Sequence, residues 1–548
     1  MYNTKVVSCP WPRLKPAART AEELQSSTRQ IFMTDTPGKS GIQPKSAYAR
    51  LAIVAGAGLV LAIITLVPAP DAISTPSGPV ALSPAGKACL GILVAAVILW
   101  LTEALDFAVT SLALLIIMPF FKVTDGIAVI KDGAAGVTQG FRDGFYELIS
   151  LSFGNRLLFF FIGVFLLSAA FTRSGLGKRL MLWILKLSGG SPRLIILGML
   201  IGGAFISMWV TNMGTAALLA PLAMEILRRS GQGPLKSNFG KSLMIACAWG
   251  PLFGGIATPA GCGPNPVAIA FLRDMAGFEI SFLGWMSLGL PASMVMIPVG
   301  WVMLGWMFPP EDLGDAFNKD DFKTELEELG PPGRKEWWTL FVFACVILLW
   351  LTSGAIKSAT DGAVDLPMEW VAMAGGLALM LPGVDVMTMK EAEESIPWNA
   401  VLLVMASMGL GLMMYETGAA RWLAWVLLGE VGGIHPVGRI ALVVTAMMFL
   451  KVFLASNTVT GIIAIPLLIT LATDLGISPW MLVAPAAFTS SLGMVIITQS
   501  PTNVIPYSYG FFTVRDFLKS GVIMSVIVIV LLTLVISLVG PLTGMYEF

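Results

Sequence analysis

The chain has 548 residues, 56% of them hydrophobic and only 12% charged, about half the roughly 25% of a soluble protein. Its mean hydropathy of +0.81 excludes a disordered chain and an ordinary water-soluble domain. Basic and acidic residues balance at 34 each, so no net field draws the chain to nucleic acid.

Residues 1–48 are polar and proline-rich and lack the apolar core of a signal peptide. They read as a disordered tail. Through Arg50 the chain carries eight basic residues against three acidic ones, which places the N-terminus in the cytoplasm. Crossing the ~30 Å hydrocarbon layer takes about 20 helical residues. Full spans are expected near 49–67, 88–103, 105–121, 155–172, 281–307, 337–353, 369–386, 398–415 and 520–540. The expected fold is an all-α polytopic membrane protein. Cys9, Cys89, Cys247, Cys262 and Cys345 are scattered without a CxxC, so neither a disulfide framework nor a zinc site is expected.

Other stretches are interrupted. Over 193–228 two short apolar pieces flank the polar run Thr211-Asn212-Met213-Gly214-Thr215, with basic residues outside both ends. This predicts a re-entrant hairpin with both ends in the cytoplasm. The design recurs over 439–473 around Ser456-Asn457-Thr458-Val459-Thr460, with little flanking positive charge, on the opposite side. In both copies a proline follows the asparagine by nine positions, Pro221 and Pro466. Each hairpin precedes a broken helix, near 261–266 (Gly261-Cys262-Gly263-Pro264-Asn265-Pro266) and near 498–503 (Thr498-Gln499-Ser500-Pro501-Thr502-Asn503). Such breaks are tolerated at membrane depth only where protein buries them or they line a cavity.

The chain therefore divides into an N-terminal span with a first repeat (49–308), an acidic linker (309–336) and a second repeat (337–548). The linker carries nine acidic and four basic residues and reads as solvated cytoplasmic chain. An odd number of crossings separates the copies, so they are inverted, and the C-terminus is extracytoplasmic. Inverted repeats with paired broken helices point to a secondary transporter. No G-x-S-x-G elbow, His/Glu metal motif or G-x-x-x-x-G-K-[ST] suggests an enzyme or an ATP-driven pump. His435, the only histidine, precedes Pro436 in a loop, which argues against a histidine proton relay. Glu225 stands three and four residues before Arg228 and Arg229, the spacing of surface ion pairs.

A hairpin tip exposes free carbonyls at the end of one half-helix and free N–H groups at the start of the next. Carbonyls and hydroxyls suit a sodium ion, and N–H groups and amides suit an anion's oxygens. Asn212 and Asn457 offer both chemistries. Lys451 lies six residues before Asn457 in an apolar run. A cation there costs about 2.5 kcal/mol or more unless paired or hydrated. It is a coupling candidate, a fixed ammonium in place of a second sodium, or else it snorkels or pairs with a neighbouring helix.

With these residues the sequence resembles the divalent-anion:sodium symporter family, carriers of dicarboxylates, citrate and sulfate. The resemblance covers nearly everything after residue 85. It rests on the paired asparagine motifs and Pro-Asn breaks, on Trp100-Leu101-Thr102-Glu103-Ala104 leading into Ala108-Val109-Thr110, on Arg173-Ser174-Gly175-Leu176-Gly177-Lys178-Arg179, and on Ile396-Pro397-Trp398-Asn399. It implies eleven spans plus two hairpins, a homodimer in the lipid bilayer, an elevator motion, and sodium as coupling ion with no other cofactor. It implies a first sodium site at Ser207, Thr211, Asn212 and Gly261, and a second at Ala455, Asn457 and Gln499. There, Val452 stands where a hydroxyl is usual and Gln499 where a small residue is usual. Substrate contacts are implied at Asn212, Met213, Cys262, Asn457, Thr458, Ser500 and Pro501. Met213 and Cys262 replace hydroxyls, which makes the first-repeat side less polar. The implied function is sodium-coupled transport of a small divalent anion, first a C4-dicarboxylate. The alternatives are sodium-independent exchange of anions, or carriage of sulfate or small sulfonates.

Overall fold

The computed structural model describes residues 46–75, 78–131, 134–312 and 319–544. The tail expected over 1–48 lies outside these up to residue 45. Among the described residues, nine helices are long and apolar enough to cross a membrane. Most expected spans appear with shifted ends, as Ala47–Leu66, Pro84–Thr102, Phe282–Met307, Arg334–Ala359, Trp398–Glu416 and Val514–Leu542.

Some expectations change. The stretch 105–121 is the 14-residue helix Phe107–Phe120, and 369–386 is the 11-residue helix Met368–Ala378. The latter stops before Leu381-Pro382-Gly383, and the chain turns through Gly383 and Asp385 at φ of 93° and 46°. Proline and a left-handed glycine are helix stops that outrank the apolar composition. Leu157–Arg173 is preceded by a further helix, Gly140–Phe153. Two small antiparallel β-hairpins also occur, Ile73–Thr75 with Gly78–Val80 and Ala128–Lys131 with Ala134–Val137. Strands of three or four residues are too short to register as an alternating pattern.

A helix–tip–helix pair stands at each place where a hairpin is expected. The first joins Pro192–Ser207 to Asn212–Arg229, and the second joins Pro436–Phe453 to Asn457–Asp474. The tips break where a hydroxyl can cap the next helix. Thr211 Oγ1 accepts the Gly214 N–H at 3.3 Å, and Ser456 Oγ accepts the Val459 N–H at 3.3 Å. Pro221 and Pro466 lie inside the second helix of each pair. Both helices of the second hairpin have 18 residues and are apolar enough to count among the nine.

The broken segments differ in detail from expectation. The first runs as Asn238–Gly255, an unwound stretch over 256–263, then Pro264–Ala276. The second runs as Trp480–Ser491, an irregular stretch with a 3-10 turn at Ile497–Gln499, then Pro501–Tyr507. The breaks thus begin upstream of the Pro-Asn pairs. The prolines start the second helices, because the first helical residue has no use for its N–H and proline's fixed φ suits it.

Each break is held from outside by a long helix. Trp285 donates its indole N–H to Ile256 O at 2.9 Å. A methyl on Gly289 would stand 2.4 Å from that carbonyl, and one on Gly521 would stand 1.9 Å from Met494 O. Glycine lets each helix backbone lie directly on the unwound chain.

The acidic linker is not simply solvated. Lys319–Glu328 is a helix with Phe322 buried, and its Glu325 binds Arg229 at 2.7 Å. Arg229 also binds Glu225 at 2.8 Å, as does Arg228, so the pairs expected at Glu225 are present. Nearby, Arg179 makes two hydrogen bonds to Glu336, at 2.7 and 3.1 Å, and one to Gly330 O. Glu311 caps the helix that leads to the first break, accepting from the N–H groups of Asn238 at 2.7 Å and Phe239 at 2.9 Å. Burial alone would raise its carboxyl; the backbone donors of Phe239 and Asn238 outweigh that and hold it below the usual range. A depressed carboxyl stabilises the fold above its unfolded-state pKa, and that contribution disappears as pH falls through the folded-state value. Glu311→Gln is therefore expected to cost about 1 kcal/mol at neutral pH. Thermal melts of variant and parent should converge only in acid; a constant gap at all pH values would contradict the charge's role.

Candidate functional site

The two tips and the two breaks meet. The second piece of each broken segment packs on the second helix of the other hairpin: Pro264–Ala276 lies against Asn457–Asp474, and Pro501–Tyr507 against Asn212–Arg229. Asn265 and Asn503 hold the breaks open from inside. Asn265 Nδ2 donates to Gly255 O at 2.8 Å and Thr258 O at 2.7 Å, and Asn503 Nδ2 donates to Gly493 O at 2.6 Å. In each copy the asparagine reaches back ten residues to a glycine carbonyl at the end of the preceding helix or just beyond it. These struts were visible as matched asparagines in the sequence, but nothing there assigned them a role.

At the first tip, oxygens crowd together. One terminal atom of the buried Asn212 amide lies 3.1 Å from Gly261 O, 3.0 Å from Pro251 O and 2.6 Å from Ser207 Oγ. A methyl on Gly261 would stand 2.6 Å from Gly255 O and 2.7 Å from Ser207 O. Gly255 O has its donor in Asn265 Nδ2, and the oxygens gathered at the Asn212 amide atom call for a positive partner there. The amide nitrogen supplies one when turned inward, and a cation supplies it when the amide oxygen is turned inward. Met208 O, beside them, is taken by the Thr258 hydroxyl. Of the four residues expected here, Ser207, Asn212 and Gly261 share this cluster, and Thr211 caps the following helix.

At the second tip the arrangement is closed by a side chain. Lys451 is fully buried, and its Nζ donates to Gln499 O at 2.9 Å and Leu454 O at 3.3 Å. Gln499 Nε2 donates to Lys451 O at 3.0 Å, and its Oε1 accepts from the Val495 and Ile496 N–H groups at 2.8 and 3.0 Å. The Gln499 side chain is thus committed within the protein. Ala455 lies in the unwound tip itself.

Between the tips, Asn457 Nδ2 lies 3.6 Å from Cys262 Sγ and 3.5 Å from Ser491 O, both long contacts, while its Oδ1 is buried without a partner. A methyl on Gly263 would stand 2.4 Å from Thr458 Oγ1. Asn212 therefore touches Gly261, and Asn457 touches the next residue, Cys262. Both asparagines are the first residues of their helices, so the N–H groups of Asn212 and Met213, and of Asn457 and Thr458, have no intrahelical acceptor. Met213 is 41% exposed, and Pro501 is exposed too. Ser500 is buried and caps the short helix at the Thr502 N–H. The site thus opens on the side of Met213 and Pro501 and is closed by the struts behind.

Fold and site together define a multi-pass membrane protein whose helix ends and unwound chain converge on a polar centre. The chain belongs to the sodium:sulfate symporter family, whose transmembrane-region model matches residues 47–546. It is 27% identical over 460 residues to the sodium-dependent dicarboxylate transporter SdcS of Staphylococcus saprophyticus, covering 81% of this chain and 84% of that one. It is 26% identical over 464 residues to SdcS of Staphylococcus aureus strain USA300, with the same coverage. Among solved structures, the Alcanivorax borkumensis YdaH transporter superposes with a TM-score of 0.55, at 14% identity, over 80% of this chain and 99% of that one. Neisseria gonorrhoeae MtrF superposes with a TM-score of 0.53, at 14% identity, over 78% and 93%. At that identity the likeness is one of fold.

Proposed function

We propose that the protein is a secondary carrier that moves a small divalent anion together with sodium, by an elevator motion of the paired tips against a dimeric scaffold in the bilayer. One observation carries this reading: Asn212 and Asn457, from two hairpins, both touch the same unwound segment at Gly261 and Cys262. The free N–H groups at the two helix starts and the weakly engaged Asn457 amide then lie where the tips meet the break, which suits carboxylate or sulfate oxygens. The SdcS relatives' names favour a C4-dicarboxylate, and the family's own name keeps sulfate as the second reading. The contact residues are Asn212, Met213, Cys262, Asn457, Thr458, Ser500 and Pro501. The repeats divide at the docked linker, with the N-terminus cytoplasmic and the C-terminus outside.

Ser207, Asn212 and Gly261 hold the sodium ion, with the Thr211 hydroxyl beside them. The gathering of Ser207 Oγ, Pro251 O and Gly261 O around one terminal atom of the Asn212 amide supports this, and Gly261 packs so closely that a Cβ would stand 2.6 Å from Gly255 O and 2.7 Å from Ser207 O. Gly261→Ala is expected to abolish the sodium dependence of succinate binding. Thermal shifts in sodium against choline check it. A variant still stabilised by succinate only in sodium would remove this site. If succinate and sulfate shift the parent protein in neither salt, the carrier reading itself is lost.

A further inference from the structure

We infer that the Lys451 ammonium is a built-in second cation, so that the carrier moves its dianion with one sodium ion and one charge that never leaves the protein. This rests on the carrier reading above and specifies its coupling.

The two tips match. In the first copy Asn265 ties back to Gly255 O, and Gly261, four residues before that asparagine, turns its carbonyl into the crowd of oxygens. In the second copy Asn503 ties back to Gly493 O, and Gln499, again four residues before, turns its carbonyl onto Lys451 Nζ at 2.9 Å. The second acceptor is a tip carbonyl, Leu454 O. The lysine stem lies against Gly493, where a methyl would meet Lys451 Cε at 3.1 Å. The place that a mobile cation would take in the second copy is therefore filled by Nζ and its stem. Gln499 fixes this arrangement by hydrogen-bonding the Lys451 carbonyl with its own side chain.

Two features argue against a merely structural lysine. It is fully buried, so it does not snorkel to an aqueous surface. Its hydrogen bonds go to carbonyls, and among the described residues it forms no ion pair. A buried ammonium held only by carbonyls keeps its charge only beside a negative partner. The anion expected beside Asn457, six residues along the chain, supplies it.

The consequence is a sign. Lys451 travels with the loaded and the empty carrier, so it cancels over a cycle. A dianion with one sodium then carries one net negative charge inward per turnover. Uptake should be accelerated by an inside-positive potential, and its sodium dependence should have a Hill coefficient of about one. A carrier with a free second sodium site would show a coefficient near two and no such acceleration.

The test uses the full chain in proteoliposomes with labelled succinate and potassium-diffusion potentials. Acceleration by an inside-positive potential with a sodium coefficient of about one supports the inference. A coefficient near two, or acceleration by an inside-negative potential, overturns it. In parallel, Lys451→Ala is expected to bind succinate at least tenfold more weakly by calorimetry, with ethylammonium but not choline restoring affinity. Lys451→Met fills the space without charge and is the packing control, expected to stay weak with or without the amine. Unchanged affinity in either variant overturns the inference. If the parent protein carries neither succinate nor sulfate, the carrier reading fails and takes this one with it; carriage with the wrong sign or coefficient removes only the role of Lys451.

Discussion

Asn457→Ala is expected to abolish anion transport and to leave the fold almost untouched, whereas Asn212→Ala should damage both. The difference follows from how the two amides are held. Asn212 is engaged at 2.6–3.1 Å with Ser207 Oγ, Pro251 O and Gly261 O. Removing it leaves buried acceptors unsatisfied, at roughly 1–3 kcal/mol for each group so stranded. Asn457 makes only contacts of 3.5 and 3.6 Å and keeps a buried oxygen without a partner. Its amide is a poor structural element and an available one for a ligand. An Asn457→Ala protein should melt within a few degrees of the parent yet lose about 100-fold in succinate flux, a loss of about 2.7 kcal/mol. Asn457→Asp adds a negative charge beside the bound anion and should be at least as inactive. Flux measured alongside melting temperature separates the cases. An inactive Asn457→Ala that also unfolds early would make the residue structural, and an active one would take it out of the site.

Much of the site was legible in the sequence because membrane burial makes polar residues conspicuous. Asn212 and Asn457 stand in apolar runs, each nine residues before a proline, and both hairpins break where those residues fall. Ser207, Asn212 and Gly261, which the family resemblance grouped, are also neighbours in the fold. What escaped has physical reasons. The Pro-Asn pairs signalled interruption, but proline is tolerated at a helix's first residue, so they mark where helices resume. Asn265 and Asn503 looked like parts of a break and are its struts, a role that depends on carbonyls ten residues away. Gln499 looked like a misfit in a cation site; only the fold shows its side chain spent on Val495, Ile496 and Lys451. The linker's acidity predicted solvation, but the burial of Phe322 and the Arg229–Glu325 pair depend on contacts distant in sequence. The 369–386 stretch passed as a span on hydropathy, which is blind to the stop at Pro382 and Gly383.

Gly521→Ala should be severe for a residue that touches neither ion nor anion. Gly521 lies in Val514–Leu542, the most hydropathic of the nine spans at 3.2. In most membrane helices a glycine-to-alanine change is mild or favourable, since alanine is the better helix former by about 1 kcal/mol. Here the added carbon would stand 1.9 Å from Met494 O and 3.0 Å from Val495 Cα. Those atoms are backbone, so no side-chain rotation relieves the clash. Either the helix or the unwound chain must move by more than an ångström. The unwound chain is the softer of the two, and it carries Gln499, whose carbonyl holds Lys451. Overpacking of this kind costs about 1–3 kcal/mol, and its displacement passes directly to the second tip. The expected result is a lower melting temperature together with a fall in succinate flux of at least tenfold. Val522→Ala is the control, one position along and facing outward at 46% exposure, and should change neither. The milder counterpart in the first copy is Gly289→Ala, where the carbon would stand 2.4 Å from Ile256 O. It should shift the sodium dependence more than the response to membrane potential, because the break it presses on leads to Gly261. A Gly521→Ala protein with normal flux would mean that the long helix does not bear on the unwound chain as closely as these distances require.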